Sequence, residues 1–105
     1  MRKVIGGLRH NGHAVNMSIM RKLEKVLKAL ANRRRLAILR YLKENKSAPV
    51  GEIAHETKSS YKAASKHLRI LFVTDIVDRE QKRFQVFYYL SSSQRPEVRQ
   101  VLSLL

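Results

Sequence analysis

The sequence predicts a mainly α domain with one small β-hairpin. Three observations predict it: apolar residues recur at helical spacing from Met17 to Leu42, the stretch VGEIAHETKSSYKAASKHLRILFVTDIV reads as two short helices with a cationic stripe along the second, and IVDREQKRFQVFYYL alternates like a pair of strands. Helices, a cationic helix and a charged hairpin in that order make a winged helix-turn-helix.

Residues 1–16 hold Gly6, Gly7 and Gly12 and have no convincing period, so a basic, mobile tail is expected there, ahead of a domain spanning 17–105. The first helix is expected from Met17 or Ser18 to about Leu30, because Met20, Leu23, Leu27 and Leu30 recur at spacings of three and four beside Ile19 and Val26. Asn32 offers its side chain as N-cap to a second helix, with Leu36, Leu39 and Leu42 on one side, and the segment from Asn45 to Pro49 ends it. Val50 reads as an extended residue leading into a short helix over Gly51 to Thr57.

On a wheel of about 100° per residue with Lys58 at zero, Lys62, Lys66 and Arg69 fall within roughly 80° of it and Ser65 lies beside them. Ala64, His67, Leu68 and Leu71 collect on the opposite side, an apolar back for a core. From Lys58 to Thr74 there is no Asp or Glu. A solvated helix normally intersperses both signs, so a face of one sign calls for a polyanion. In the hairpin, Phe84, Val86, Tyr88 and Leu90 alternate onto one face, and the tip between Glu80 and Arg83 is charged and lacks the Asn-Gly or Asp-Gly of a two-residue turn. Ser91 to Pro96 is a break, and Glu97 to Leu105 makes a last short helix with Val98, Val101, Leu102 and Leu105 apolar.

Composition narrows the partners. In 105 residues, 22 Lys and Arg against 8 Asp and Glu leave a formal net charge of +14, which favours nucleic acid or an anionic surface. The absence of cysteine removes disulfides, thiolate metal sites and thiol switches together. No apolar run approaches the roughly 18 residues of a membrane span, and the first residues, MRKVIGGLRHNGH, lack the apolar core of a signal peptide, so a cytoplasmic protein without a membrane partner is expected.

Catalysis and metal binding are not expected. There is no Gly-rich phosphate loop followed by Lys-Ser or Lys-Thr, no nucleophile elbow and no credible carboxylate pair. Ser59, Ser60 and Ser65 suit an N-cap and hydrogen bonds to phosphates or bases better than nucleophilic roles. His67 sits on an apolar face and reads as a core histidine, His55 with Glu52 and Glu56 reads as a solvated face, and His10 with His13 supplies only two ligands. No metal or other cofactor is therefore assigned.

The chain resembles the ArsR/SmtB-type transcriptional repressors over roughly Leu27 to Leu90. LKALANRRRLAIL, with its Arg35-Leu36 and Ile38-Leu39 pairs, is similar to that family's opening; VGEIAHET follows, SKHLRIL is similar to its Ser-x-His-Leu-x-x-Leu recognition-helix core, and Phe87-Tyr88-Tyr89-Leu90 closes the hairpin. The resemblance implies that the helix from Tyr61 to Leu71 enters the major groove, that the hairpin is a wing near backbone or minor groove, and that the first and last helices build a homodimer. Departures are Lys58-Ser59 where the family often has Gly, Arg33 where it commonly has Pro, no Cys in Val50 to Thr57, and only Glu97 as a possible ligand on the last helix. A metal-sensing role is thus not expected.

The expected DNA-binding residues are Lys58, Ser59, Ser60, Tyr61, Lys62, Ser65, Lys66, Arg69, Arg79, Lys82 and Arg83, and the expected dimer residues are Met20, Leu23, Leu27, Val101, Leu102 and Leu105. The run Arg33-Arg34-Arg35 supports two readings equally, a phosphate patch or an Arg35 packed under the motif. The expected function is a sequence-specific, dimeric DNA-binding repressor on a palindromic operator. A weakly specific nucleic-acid-coating protein is the alternative, and an adaptor that binds another protein through the same fold is a third class.

Overall fold

The computed structural model describes residues 14–105, so His10, His13 and most of the expected tail lie outside the described residues. The elements run α1 (Met17–Leu30), α2 (Arg33–Asn45), β1 (Ser47–Pro49), α3 (Val50–Glu56), α4 (Tyr61–Val73), β2 (Val77–Lys82), β3 (Gln85–Leu90) and α5 (Pro96–Ser103). Three strands form one antiparallel sheet in the order β1-β3-β2.

Side-chain caps start the long helices where the sequence places them. Asn16 Oδ1 accepts from the amides of Ser18 at 2.9 Å and Ile19 at 3.3 Å, and Asn32 Oδ1 accepts from Arg35 at 3.0 Å. Ser60 Oγ accepts from the Ala63 amide at 3.0 Å and starts α4. Each relieves one or two of the amide donors that a helix start leaves unpaired. Pro96 occupies the first turn of α5, where its missing N–H costs nothing.

The core gathers one face of each element: Val26, Ala29 and Leu30 from α1, Ile38, Leu39 and Leu42 from α2, Ile53 from α3, Ala64, Leu68 and Leu71 from α4, and Ile76, Val77, Tyr88 and Val98 beyond. On the back of the cationic helix Ala64, Leu68 and Leu71 are buried as their spacing predicts, whereas His67 is only half-buried.

Three expectations need correction. Val50 is the first residue of α3, and the extended segment before it is a strand, Ser47–Pro49, that pairs with Phe87 to Tyr89. Lys58 is not on the recognition helix. It is the left-handed residue (φ 52°) after α3, where the Ser59 amide reaches back to Ala54 O at 2.9 Å and the Lys58 amide to His55 O at 3.2 Å. That pair of bonds is a Schellman closure, and Lys58 holds the position usually given to glycine. Phe84 does not alternate onto the sheet face: with Lys82 opposite Gln85, the hairpin turns on two residues, Arg83 (φ 57°) and Phe84. The primed turns of two-residue hairpins require a positive φ at the first turn residue, and Arg83 supplies it here without glycine.

Candidate DNA-binding surface

The helix-turn-helix is α3, the Thr57–Ser60 turn and α4. A second Schellman closure, Asp75 N to Phe72 O and Ile76 N to Leu71 O, both at 3.0 Å, ends α4 and buries Ile76 against the core. With its two ends fixed and its back packed, α4 presents Tyr61, Lys62, Lys66 and Arg69 to solvent, with Ser65 half-buried beside them. Among the described residues no carboxylate lies within 4.0 Å of Lys62, Lys66 or Arg69. Ser60 is spent as the cap, and the Ser59 hydroxyl lies 3.2 Å from that of Thr57.

Two of the three consecutive arginines hold this assembly together. Arg34 Nη1 donates to Thr57 O at 3.0 Å and Lys58 O at 2.9 Å, placing a cation at the carbonyl end of α3 and clamping the turn. Arg35 Nε donates to Ala29 O at 2.6 Å, its Nη2 donates to Lys28 O at 3.1 Å, and its Nη1 lies 3.1 Å from His67 Nδ1. One guanidinium thereby joins the end of α1 to the back of α4, and the structural reading of Arg35 is the right one. Arg33 is left exposed. No sequence signal separates the three, because their roles depend on which carbonyls the fold brings near.

Burial, then the charges of Arg35, Arg34 and Lys66, hold His67 below its ordinary value of 6.5. Its Nδ1 accepts from Arg35 within the domain as expected, but the ring is half-buried at the edge of the core and not inside it. Tyr41 on α2 donates to the Glu52 carboxylate on α3, and this hydrogen bond, with burial and the charges of Glu52 and Glu56, pushes its phenol up to about 12. That contact fixes α3 against α2. His55 pairs with Glu56 at 3.2 Å, and among the described residues no three His, Cys, Asp or Glu side chains are grouped to hold a metal. Among the same residues no helix is long and apolar enough to cross a membrane.

The three wing cations do not act from one face. Residues paired across antiparallel strands share a face, so Arg79 lies with Tyr88 on the side toward α4 and Lys82 lies with Gln85 on the other. The Arg79 guanidinium stacks 4.0 Å above the Phe72 ring of α4, whereas the Lys82 ammonium lies 5.4 Å from the Phe87 ring and 3.9 Å from Glu80. Arg83 stands at the tip. Pro49, Val50, Gly51, Tyr61, Ser65, Phe84, Gln85, Val86 and Tyr88 line a groove of about 370 Å³ between α4 and the wing. Phe84 and Gln85 line this groove although the sequence reading did not count them among the DNA-binding residues.

Away from this face, α1 exposes Met20 (41%) and Leu27 (47%), and Leu23 is half-buried between them. Val101, Leu102 and Leu105 pack in part against their own core, and Leu104 is the exposed apolar residue of that end.

A model of the bacterial regulatory proteins of the arsR family matches residues 32–79, from the cap of α2 into the wing. The transcriptional activator HlyU of Vibrio cholerae is 40% identical over 80 residues, covering 76% of this chain and 70% of HlyU. The chain belongs to the arsR family. Its fold agrees with that of reduced HlyU from Vibrio cholerae at a TM-score of 0.69, with 37% identity over 85% of this chain and 90% of the other. It also agrees with the homodimeric winged helix-turn-helix DNA-binding domain of Mb0332 from Mycobacterium bovis, at a TM-score of 0.71 and 25% identity, covering 95% and 85% of the two chains. This arsR-family chain is a DNA-binding transcriptional regulator and not an enzyme.

Proposed function

We infer that the protein reads a specific, two-fold symmetric DNA site as a homodimer and represses transcription by occupying it. The observation that carries this reading is the exposed face of α4, where Lys62, Lys66 and Arg69 stand beside Tyr61 and Ser65 with no carboxylate partner among the described residues. Cations alone suffice for phosphates, whereas mixed donors and acceptors on a rigid helix suit base edges. Dimerisation through α1 and α5 draws support from the exposed stripe at Met20 and Leu27 and from the homodimeric Mb0332 domain. Two copies of α4 would then meet half-sites about one helical turn apart. Occlusion of a promoter is the simplest effect of a small domain on DNA, although the relative HlyU bears the name of activator.

The test is selection of bound sequences from a random DNA pool at physiological salt, followed by transcription in vitro from a promoter carrying the recovered site. An inverted repeat that lowers transcription is the expected result. Equal affinity for selected and random duplexes would support the second reading, a coating protein, which the net charge of +14 favours.

A further inference from the structure

Phe84 is the most conspicuous large apolar residue of the domain, 98% exposed at the end of the wing. A two-residue turn ordinarily takes Asn, Asp or Gly, yet this one places Arg83 at φ 57° and leaves an aromatic ring in water. Both choices run against local preference, and such conflicts concentrate at functional sites. The tip is nonetheless built firmly: Lys82 pairs with Gln85, the Gln81 side-chain amide donates to Arg83 O at 3.2 Å, and β3 is held on its other edge by β1. The ring is therefore presented by a braced hairpin.

Its surroundings say what it meets. Arg83 adjoins it, Lys82 lies one residue further, and across the shared groove stand Tyr61 and Ser65 of the DNA-reading helix. The wing carboxylates are engaged, Asp78 Oδ1 with the Arg79 amide at 2.8 Å and Glu80 with Lys82. An exposed aromatic ring with Arg83 next to it in the chain and Lys82 one residue further suits a partner that is anionic outside and flat and apolar inside, which describes stacked base pairs behind phosphates. We propose that Phe84 is a wedge that enters the minor groove beside the site read by α4 and opens one base step in each half-site, with Arg83 on the adjoining phosphate. Apolar side chains inserted between base pairs unstack them and kink the duplex by about 20–90°. The proposal rests on the placement of α4 in the major groove, and it adds a residue that selects sequence through the ease of unstacking, since pyrimidine–purine steps open most readily.

The experiment uses the full chain and a duplex recovered by the selection above, or a mixed A·T-rich duplex if no sequence is preferred. 2-Aminopurine is placed in turn at each flanking step, and dyes at the two ends report bending. Wild type should brighten 2-aminopurine at one step per half-site and shorten the end-to-end distance. Phe84→Ala should abolish both signals and weaken binding about ten-fold, the scale of one lost aromatic–base stack. Phe84→Leu, still an apolar wedge, should keep most of the bend. Unchanged thermal unfolding of Phe84→Ala would confirm that only the contact was lost. If Phe84→Ala binds and bends as wild type does, or loses affinity while wild type itself never brightens 2-aminopurine, the wedge is overturned. Selective binding of the recovered duplex by all variants would leave the α4 reading standing, and its absence in wild type would remove that reading instead.

Discussion

The turn between α3 and α4 and the tip of the wing each bend on a basic residue with positive φ, Lys58 at 52° and Arg83 at 57°. Their surroundings differ. The first is closed by two backbone bonds, clamped by Arg34 and seated on a helix whose Ala64, Leu68 and Leu71 are buried. The second has its own ladder and one side-chain amide. The same positive φ is thus backed by the buried core in one place and by strand pairing with one side-chain hydrogen bond in the other. Base reading demands a fixed helix, and a wing that follows a groove needs only a firm but peripheral arm.

The largest effect should separate the two regions by stability. Leu68→Ala, at a fully buried position, is expected to cost about 2–5 kcal/mol in denaturant unfolding. Phe84→Ala should stay within about 0.5 kcal/mol of wild type, as exposed substitutions usually do. A similar loss from both would mean that the tip is part of the cooperative core.

Next comes DNA binding. Lys62→Ala should cost about 1–3 kcal/mol on the selected site and far less on random DNA, whereas Arg83→Ala should weaken both alike and lower the salt slope by about one. Arg79→Ala should differ from Arg83→Ala by also losing stability, on the order of 0.5–1 kcal/mol, because its guanidinium stacks on Phe72. Equal losses on both duplexes for Lys62 and Arg83 would turn α4 into a phosphate clamp.

The α4 side should also respond to pH. Folded His67 titrates below its ordinary value of 6.5, so the unfolded chain binds the proton first as pH falls. Stability should therefore decline as pH drops below about 6.5 and level off once the folded ring is also protonated. His67→Gln, whose amide oxygen can still accept from Arg35, should flatten that decline in urea titrations at successive pH values. An unchanged slope would assign the pH dependence to other groups.

The smallest expected effect tests the shared strain itself. A left-handed conformation costs an ordinary residue about 1–2 kcal/mol, and glycine gives back about 0.5–1 kcal/mol through unfolded-chain entropy. Lys58→Gly and Arg83→Gly should each stabilise by about 0.5–1 kcal/mol in thermal unfolding. A gain confined to Arg83→Gly would show that the Arg34 clamp already relieves the inner turn.

Much of this architecture was legible in the chain because it is local. The spacing of Ala64, Leu68 and Leu71 foretold which side of α4 is buried, Asn32 announced the start of α2, and the charge of Lys62, Lys66 and Arg69 marked the outward face. Helical periodicity and capping involve residues within four positions of one another, so the sequence carries them directly. What tertiary structure alone decided is everything that depends on distant partners. Ser47–Pro49 is a strand only because β3 lies beside it, and Phe84 stands at the tip because the register places Lys82 against Gln85. Arg34 and Arg35 are joints because α1 and α3 end with their carbonyls within reach, while the neighbouring Arg33 remains exposed. Strand register and the choice of hydrogen-bond acceptor are set by packing across the fold, and three consecutive arginines look alike until that packing distinguishes them.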